Sequence, residues 1–226
     1  MKRIFALVLM LACIVAAGAM AEEDGVIVQS SCSIVQSGDD YLAYCFAQVH
    51  NNTEQVLCLE AGTFVLTGGD EELAEEEISE IWPHFLAPGE DGYLFDVAPF
   101  DEMPPVTGLE YHIQYLKINP AYAGVKMDVD SRVEIDEDTG MLSVVCEMVN
   151  PMDSEAFDPV IGIGLYTDAG QLVYADGKNL KGVGMAANGS LLVRFEVDTL
   201  LTEQWMNYGT LPTQVKANAM FRTGSD

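Results

Sequence analysis

The sequence predicts an all-β protein made of two tandem antiparallel β-sandwiches behind an export leader. Three observations carry that expectation. The chain repeats itself at a spacing of 100 residues. Short runs rich in Val, Ile, Tyr and Phe alternate with turns containing Gly, Asp and Asn. Helical periodicity is scarce outside two short stretches.

The leader comes first. Lys2 and Arg3 form a positive n-region, Ile4 to Val15 is apolar, and the small-residue run AAGAMA places Ala19 and Ala21 at the −3 and −1 positions of an A-x-A cleavage site. This pattern is that of a secretory signal peptide covering residues 1–21. The apolar run is too short for a membrane span. A second reading makes Cys13 of LMLAC a lipid anchor, but Met10 and Leu11 fit that cleavage pattern poorly. The expected address is therefore secreted, with lipid anchoring through Cys13 as the minor alternative.

Removing 21 of 226 residues leaves 205, enough for two domains of about 100 residues. The mature chain keeps all 36 acids and loses two of its ten bases, leaving a net charge of −28. Such a field repels nucleic acid and anionic membrane surfaces and favours divalent cations and basic partners. The charge is uneven: from Glu22 to Leu116 there are twenty acids and no Lys or Arg. All eight remaining bases lie from Lys117 onward.

Sliding the chain by 100 residues aligns Tyr41–Val97 with Met141–Val197 without a gap. Leu42/Leu142, Val49/Val149, Gly62/Gly162, Thr67/Thr167, Ala87/Ala187, Gly89/Gly189, Phe95/Phe195 and Val97/Val197 coincide. In the first copy VIVQSSCSIV runs into Ser-Gly-Asp-Asp and then the strand YLAYCFAQV; in the second, SRVEI runs into EDTG and then MLSVVCEMV. Asp138-Thr139-Gly140 and Asp168-Ala169-Gly170 suit three-residue hairpins with Gly left-handed. Asn188-Gly189 is a tight-turn signal where the first copy has Pro88-Gly89. The two helical stretches are the acidic run after Gly68 and Thr199–Tyr208. The boundary falls between Lys117 and Gly124, so the expected domains are 22–118 and 119–226, each folding around its own core.

The order of these pieces resembles the FxLYD-type domains, small immunoglobulin-like sandwiches of bacterial surface and exported proteins. The first copy supplies Val49-His50-Asn51, Phe64-Val65-Leu66-Thr67-Gly68 and Leu86-Ala87-Pro88-Gly89-Glu90, followed by Phe95 and Val97. The second supplies Met148-Val149-Asn150, Leu165-Tyr166-Thr167-Asp168 and Asn188-Gly189-Ser190, followed by Phe195 and Val197. The resemblance implies two tandem immunoglobulin-like domains and no catalytic residues.

Four cysteines remain after export. If the first hairpin turns at Gly38-Asp39, Cys32 lies opposite Cys45. A cross-strand disulfide and a pair of packed thiols both remain open there. Cys58 reads as outward-facing and Cys146 as a buried thiol. His50, His84 and His112 are scattered, which argues against zinc. Asp136-Glu137-Asp138-Thr139-Gly140 partly matches a calcium loop, but a hairpin turn explains it better.

Asp70, Glu71, Glu72, Glu75, Glu76, Glu77 and Glu80 crowd into eleven positions. Asp70, Glu72 and Glu76 are the candidate Ca²⁺ ligands among them. Neighbouring side chains on a strand point to opposite faces, which prevents a cage. Leu73, Ile78 and Ile81 are too few aliphatics for a buried element. A solvated polyanionic edge that resists strand addition is the favoured reading.

No nucleophile elbow, zinc-protease motif or phosphate loop occurs. The expected function is non-catalytic: an exported bacterial module for binding or adhesion, or a structural part of the envelope, with an unidentified protein or glycan partner and no cofactor. The first alternative is a calcium-stabilised extracellular structural protein. A carboxylate-based glycan hydrolase ranks below it.

Overall fold

The structure, a computed structural model, describes residues 21–23, 25–78, 81–120, 124–136 and 138–221. The expected leader thus lies outside the described residues, apart from Ala21. In chain order the first half contains β1 (Ala21–Glu23), β2 (Val26–Ser37), β3 (Asp40–Asn51), β4 (Val56–Gly68), β5 (Glu71–Glu77), β6 (Phe85–Leu86), β7 (Asp91–Phe100) and β8 (Gly108–Ile118). The second half contains β9 (Val125–Lys126), β10 (Asp128–Ile135), β11 (Leu142–Val149), β12 (Ala156–Phe157), β13 (Val160–Tyr166), β14 (Leu172–Asn179), β15 (Gly184–Met185), β16 (Ser190–Glu196), α1 (Thr199–Tyr208) and β17 (Gln214–Phe221). Among the described residues 63 % are strand, and the ladders are antiparallel, as the alternating pattern predicts. Among the described residues no helix is long and apolar enough to cross a membrane.

The pairing order of the first half recurs in the second. The sheet β1-β2-β3-β7 corresponds to β10-β11-β16. The sheet centred on β4, flanked by β5 and β6 on one side and β8 on the other, corresponds to β13 with β14 and β17, plus the ribbon β12-β15. Among the described residues, no ladder joins a strand before residue 119 to one after it.

The gap-free register of 100 needs correction. Asn51 is fully buried, and its amide donates to the carbonyls of Gln55 (2.8 Å) and Leu86 (2.9 Å) while Oδ1 accepts from Thr53 N. Asn150 does the same with Ser154, Met185 and Met152, each partner 99 positions on. The left-handed residue of the following turn also moves by 99, from Gly89 (φ 78°) to Asn188 (φ 53°). Side chains alternate with period two, so a slip of one residue exchanges the faces. At an offset of 99 the core-facing Cys45, Ala47 and Val49 match the core-facing Val144, Cys146 and Met148. Met148, not Val149, therefore stands where Val49 does.

Each half buries an apolar interior. The first packs Ala47, Val49, Leu57, Phe64, Leu66 and Leu94, and the second packs Val144, Met148, Ile161, Ile163, Leu165 and Phe195. The expectation of two separate cores is corrected at the seam. Val35, Tyr44, Phe46 and Tyr93 of the first half belong to the second half's cluster. They project from the outer face of β2-β3-β7 onto β13 and β14, so the four sheets stack in one pile.

The stretch 199–208 forms α1, as its composition predicts. Asp198 caps it, Oδ1 accepting from Leu200 N at 2.8 Å, and Gly209 ends it in the left-handed conformation. Asp198 also ties the halves together, because Oδ2 accepts from the Tyr44 hydroxyl at 2.8 Å. From the helix, Gln204 donates to the Ile34 carbonyl at 2.8 Å.

A candidate binding cleft at the seam

The seam explains why a cleft exists and what holds it open. On β13 the outward positions are Gly162 and Gly164, and Gly177 lies on β14. A methyl group on Gly177 would run into the Trp82 indole, and one on Gly162 would meet the Trp82 carbonyl. These glycines form a flat seat for Trp82, which reaches across from the first half and is only 7 % exposed. Around the seat, Tyr166 donates to Gln48 Oε1 at 2.7 Å and Asn218 donates to the Asp91 carbonyl at 2.9 Å. Glu90 is buried and holds Lys126 of β9 at 3.0 Å, and its other oxygen accepts from Ala87 N. Phe46 and Tyr174 meet with ring centroids 5.3 Å apart.

Beside Gly177 stands Asp176, whose carboxylate accepts from Gly177 N at 2.6 Å and from the Tyr174 hydroxyl at 3.0 Å. Burial holds this carboxyl above its ordinary value of 3.8, against the pull of those donors and of Lys178. An acid whose folded pKa is raised favours the fold fully below its unfolded pKa, and that contribution is lost as pH rises through the folded value. Asp176→Asn is therefore expected to gain stability over the parent as pH rises from below 3.8 towards neutrality. Melting curves across that range check it, and a constant difference at every pH would contradict it.

Past Trp82 the chain turns through a cis Trp82–Pro83 bond, and Pro83, His84 and Phe85 form one wall of a cleft of about 640 Å³. The other wall comes from the second half. Ala156, Met220 and Phe221, all buried, lie at its base. Glu155, Asp158, Asn179 and Lys181 stand exposed around the mouth. Phe157 also lines it and is 54 % exposed, second only to Leu192 among the large apolar side chains of the described residues.

The ribbon β12-β15 presents Phe157. It pairs directly with Gly184, and an added Cβ at Gly184 would lie 3.1 Å from the ring and 3.0 Å from Glu155 Oε1. Ring edge and carboxylate thus flank a single bare point of backbone. Asp158, at φ 52°, fixes the ribbon by accepting from Gly182 N. In the first half the equivalent pair is Cys58 opposite Phe85, with the large residue on the other strand. The frame is shared, with the ring carried on the opposite strand of the pair.

The residues singled out from sequence are dispersed. Cys32 and Cys45 pair directly across β2 and β3, both buried and both thiols. The Cys45 thiol is raised, first by its hydrogen bond with Cys32 and then by burial. Cys146 is buried in the second core, where burial and then Asp130 push its thiol up to about 12. Cys58 is half-buried. His50 pairs with Asp91 at 2.7 Å, His112 is exposed on β8, and only His84 lines the cleft. The Asp136 loop is a hairpin turn in which Asp136 Oδ1 accepts from Asp138 N, Thr139 N and Thr139 Oγ1, holding its carboxyl below the usual range. Glu147 lies within β11, away from that loop.

The acidic run is the edge strand β5, paired on one side only, with β4. Asp70 sits in the turn before it, and Glu72 and Glu76 lie along it, all exposed. The run is nevertheless anchored, contrary to its count of aliphatics. Ile78 and Ile81 are buried against the first core and Leu73 packs on it, because the run continues into the Trp82 crossing. Among the described residues no three His, Cys, Asp or Glu side chains come together as a metal site. Millimolar Ca²⁺ and Mg²⁺ are expected to raise the melting temperature alike by screening these carboxylates. A rise specific to Ca²⁺ in differential scanning fluorimetry would instead place a cage there.

No family model and no curated protein matches the chain. Among solved structures, the chain is similar to the crystal structure of red sea bream transglutaminase, with a TM-score of 0.24 and 12 % identity over 85 % of this chain. The chain spans 28 % of the length of that protein.

Proposed function

We propose that this protein is an exported bacterial binding module without catalytic activity, which holds a protein or glycan of the cell envelope in the cleft at the seam. Two tandem immunoglobulin-like domains of the FxLYD type, 22–118 and 119–226, form it after a leader ending at Ala21. The recurring strand order and the twin asparagine corners support descent from one duplicated unit. The observation that carries the binding reading is Phe157, left 54 % exposed at the mouth of a cleft with a buried apolar base. An apolar concavity edged by a few polar groups is the usual form of a ligand site. The packed seam fixes its shape, so little ordering is needed on binding.

The test is co-sedimentation with isolated envelopes of the producing bacterium. Wild-type protein is expected in the pellet. Asn179→Trp, an exposed position whose indole would fill the cleft, is expected in the supernatant with an unchanged far-UV spectrum. Equal partitioning of the two proteins would refute the reading.

A further inference from the structure

Resting on that reading, we infer that the mouth of the cleft is a subsite for a neutral sugar ring, stacked on Phe157 and hydrogen-bonded through its hydroxyls to Glu155. A pyranose has an apolar C–H face and a rim of hydroxyls, so it needs a flat apolar plate with acceptors level with its edge. Phe157 supplies the plate. One edge of the ring leans over the bare backbone of Gly184, and the residue as a whole stays half in water. Glu155 supplies the acceptor, its Oε1 and the ring edge lying 3.0 and 3.1 Å from one point above Gly184. A larger residue at 184 would come between them. Asn179 and Lys181 add donors on the same lining, while Asp158 spends one oxygen on Gly182 N.

Charge selects the class of sugar. The chain carries a net charge of −26, which disfavours anionic saccharides. The mouth itself is mixed, with Lys181 beside Glu155 and Asp158, unlike the uniformly acidic edge at β5. The same field would draw a polycation to the mouth, so tetralysine serves as the comparison ligand; the aromatic plate and the acceptor level with its edge are what favour a polyol. A cleft of about 640 Å³ lies within the usual size range of small-ligand sites.

Isothermal titration of the full chain with neutral tetramers of hexose, pentose and N-acetylhexosamine tests this, with tetralysine as the comparison ligand. At least one neutral tetramer is expected to bind, with little dependence on salt. Phe157→Ala and Glu155→Gln are each expected to weaken it by about tenfold, and Leu192→Ala, exposed on another sheet, to leave it unchanged. Failure of all three tetramers, or saccharide binding indifferent to Phe157→Ala, overturns the sugar subsite. Tetralysine binding lost in Phe157→Ala, with no saccharide bound, overturns the sugar class and leaves the cleft reading standing. If Asn179→Trp also fails to alter envelope retention, both readings fall together.

Discussion

Replacing Trp82 with alanine is expected to cost about 3–5 kcal/mol and to separate one melting transition into two. The indole fills the glycine seat made by Gly162 and Gly177 and is nearly inaccessible to water. Its removal leaves a void that backbone, which has no side chains to rearrange there, fills poorly. Gly177→Val tests the same contact from the other side by displacing the indole. Both variants are expected to retain the strand content of the parent, since each changes a side chain and leaves the backbone pairs Gly162–Gly177 and Trp82–Tyr93 their hydrogen-bonding groups. Differential scanning calorimetry reads the outcome. A single, unshifted transition in Trp82→Ala would show that the halves are held together by something other than this contact.

The second large effect is expected at the asparagine corners. Asn51→Ala removes two donors to the Gln55 and Leu86 carbonyls and the acceptor for Thr53 N and Oγ1, all at a fully buried position. The buried Leu86 carbonyl left unsatisfied costs about 1–3 kcal/mol, and the void at a fully buried site and the partly exposed Gln55 and Thr53 partners add to it, so a loss of about 3 kcal/mol is expected. For a chain of this size that lowers the melting temperature by roughly 6–12 °C. Asn150→Ala is expected to cost a similar amount, because its bonds repeat those of Asn51. Asn→Asp at either site is expected to be nearly as damaging, since a carboxylate cannot donate to the carbonyls. Chemical denaturation of the four variants would reveal any inequality between the corners.

Local chemistry made much of the fold legible. The hairpin at Gly38-Asp39 sets Cys32 against Cys45 in the register that strand alternation demands. Gly140 and Gly170 take the left-handed conformation at φ 72° and 77°, as their Asp-x-Gly contexts require. The helix at Thr199 announces itself through an Asp cap and a Gly stop.

What stayed hidden was long-range. Identical residues spaced by 100 lined up without sharing a face. Leu142 packs in the second core, while Leu42 leans from the first half onto that same cluster. The buried asparagines, spaced by 99, carried the true register. The seam also left a trace in Ile161-Gly162-Ile163-Gly164-Leu165, where glycine alternates with aliphatics in place of polar residues. Such a strand has one face too close to a neighbour for any side chain. Which neighbour it met could not be read, because Trp82 lies about 80 positions earlier. The cleft was equally hidden, since Phe85 and Phe157 come to line one concavity only through that crossing.

The glycine seat constrains how the chain could be reused. Cut at residue 119, the carboxy-terminal fragment would expose a bare-backbone surface beside Tyr166 and Tyr174, and the amino-terminal fragment an aromatic one with Phe46 and Tyr93. Fragments so exposed would stick to themselves or to each other instead of staying in solution. Genetic shuffling would therefore move the pair as one indivisible cassette. A third copy appended to the chain would need a new anchor of its own, because the only Trp82 already has its berth.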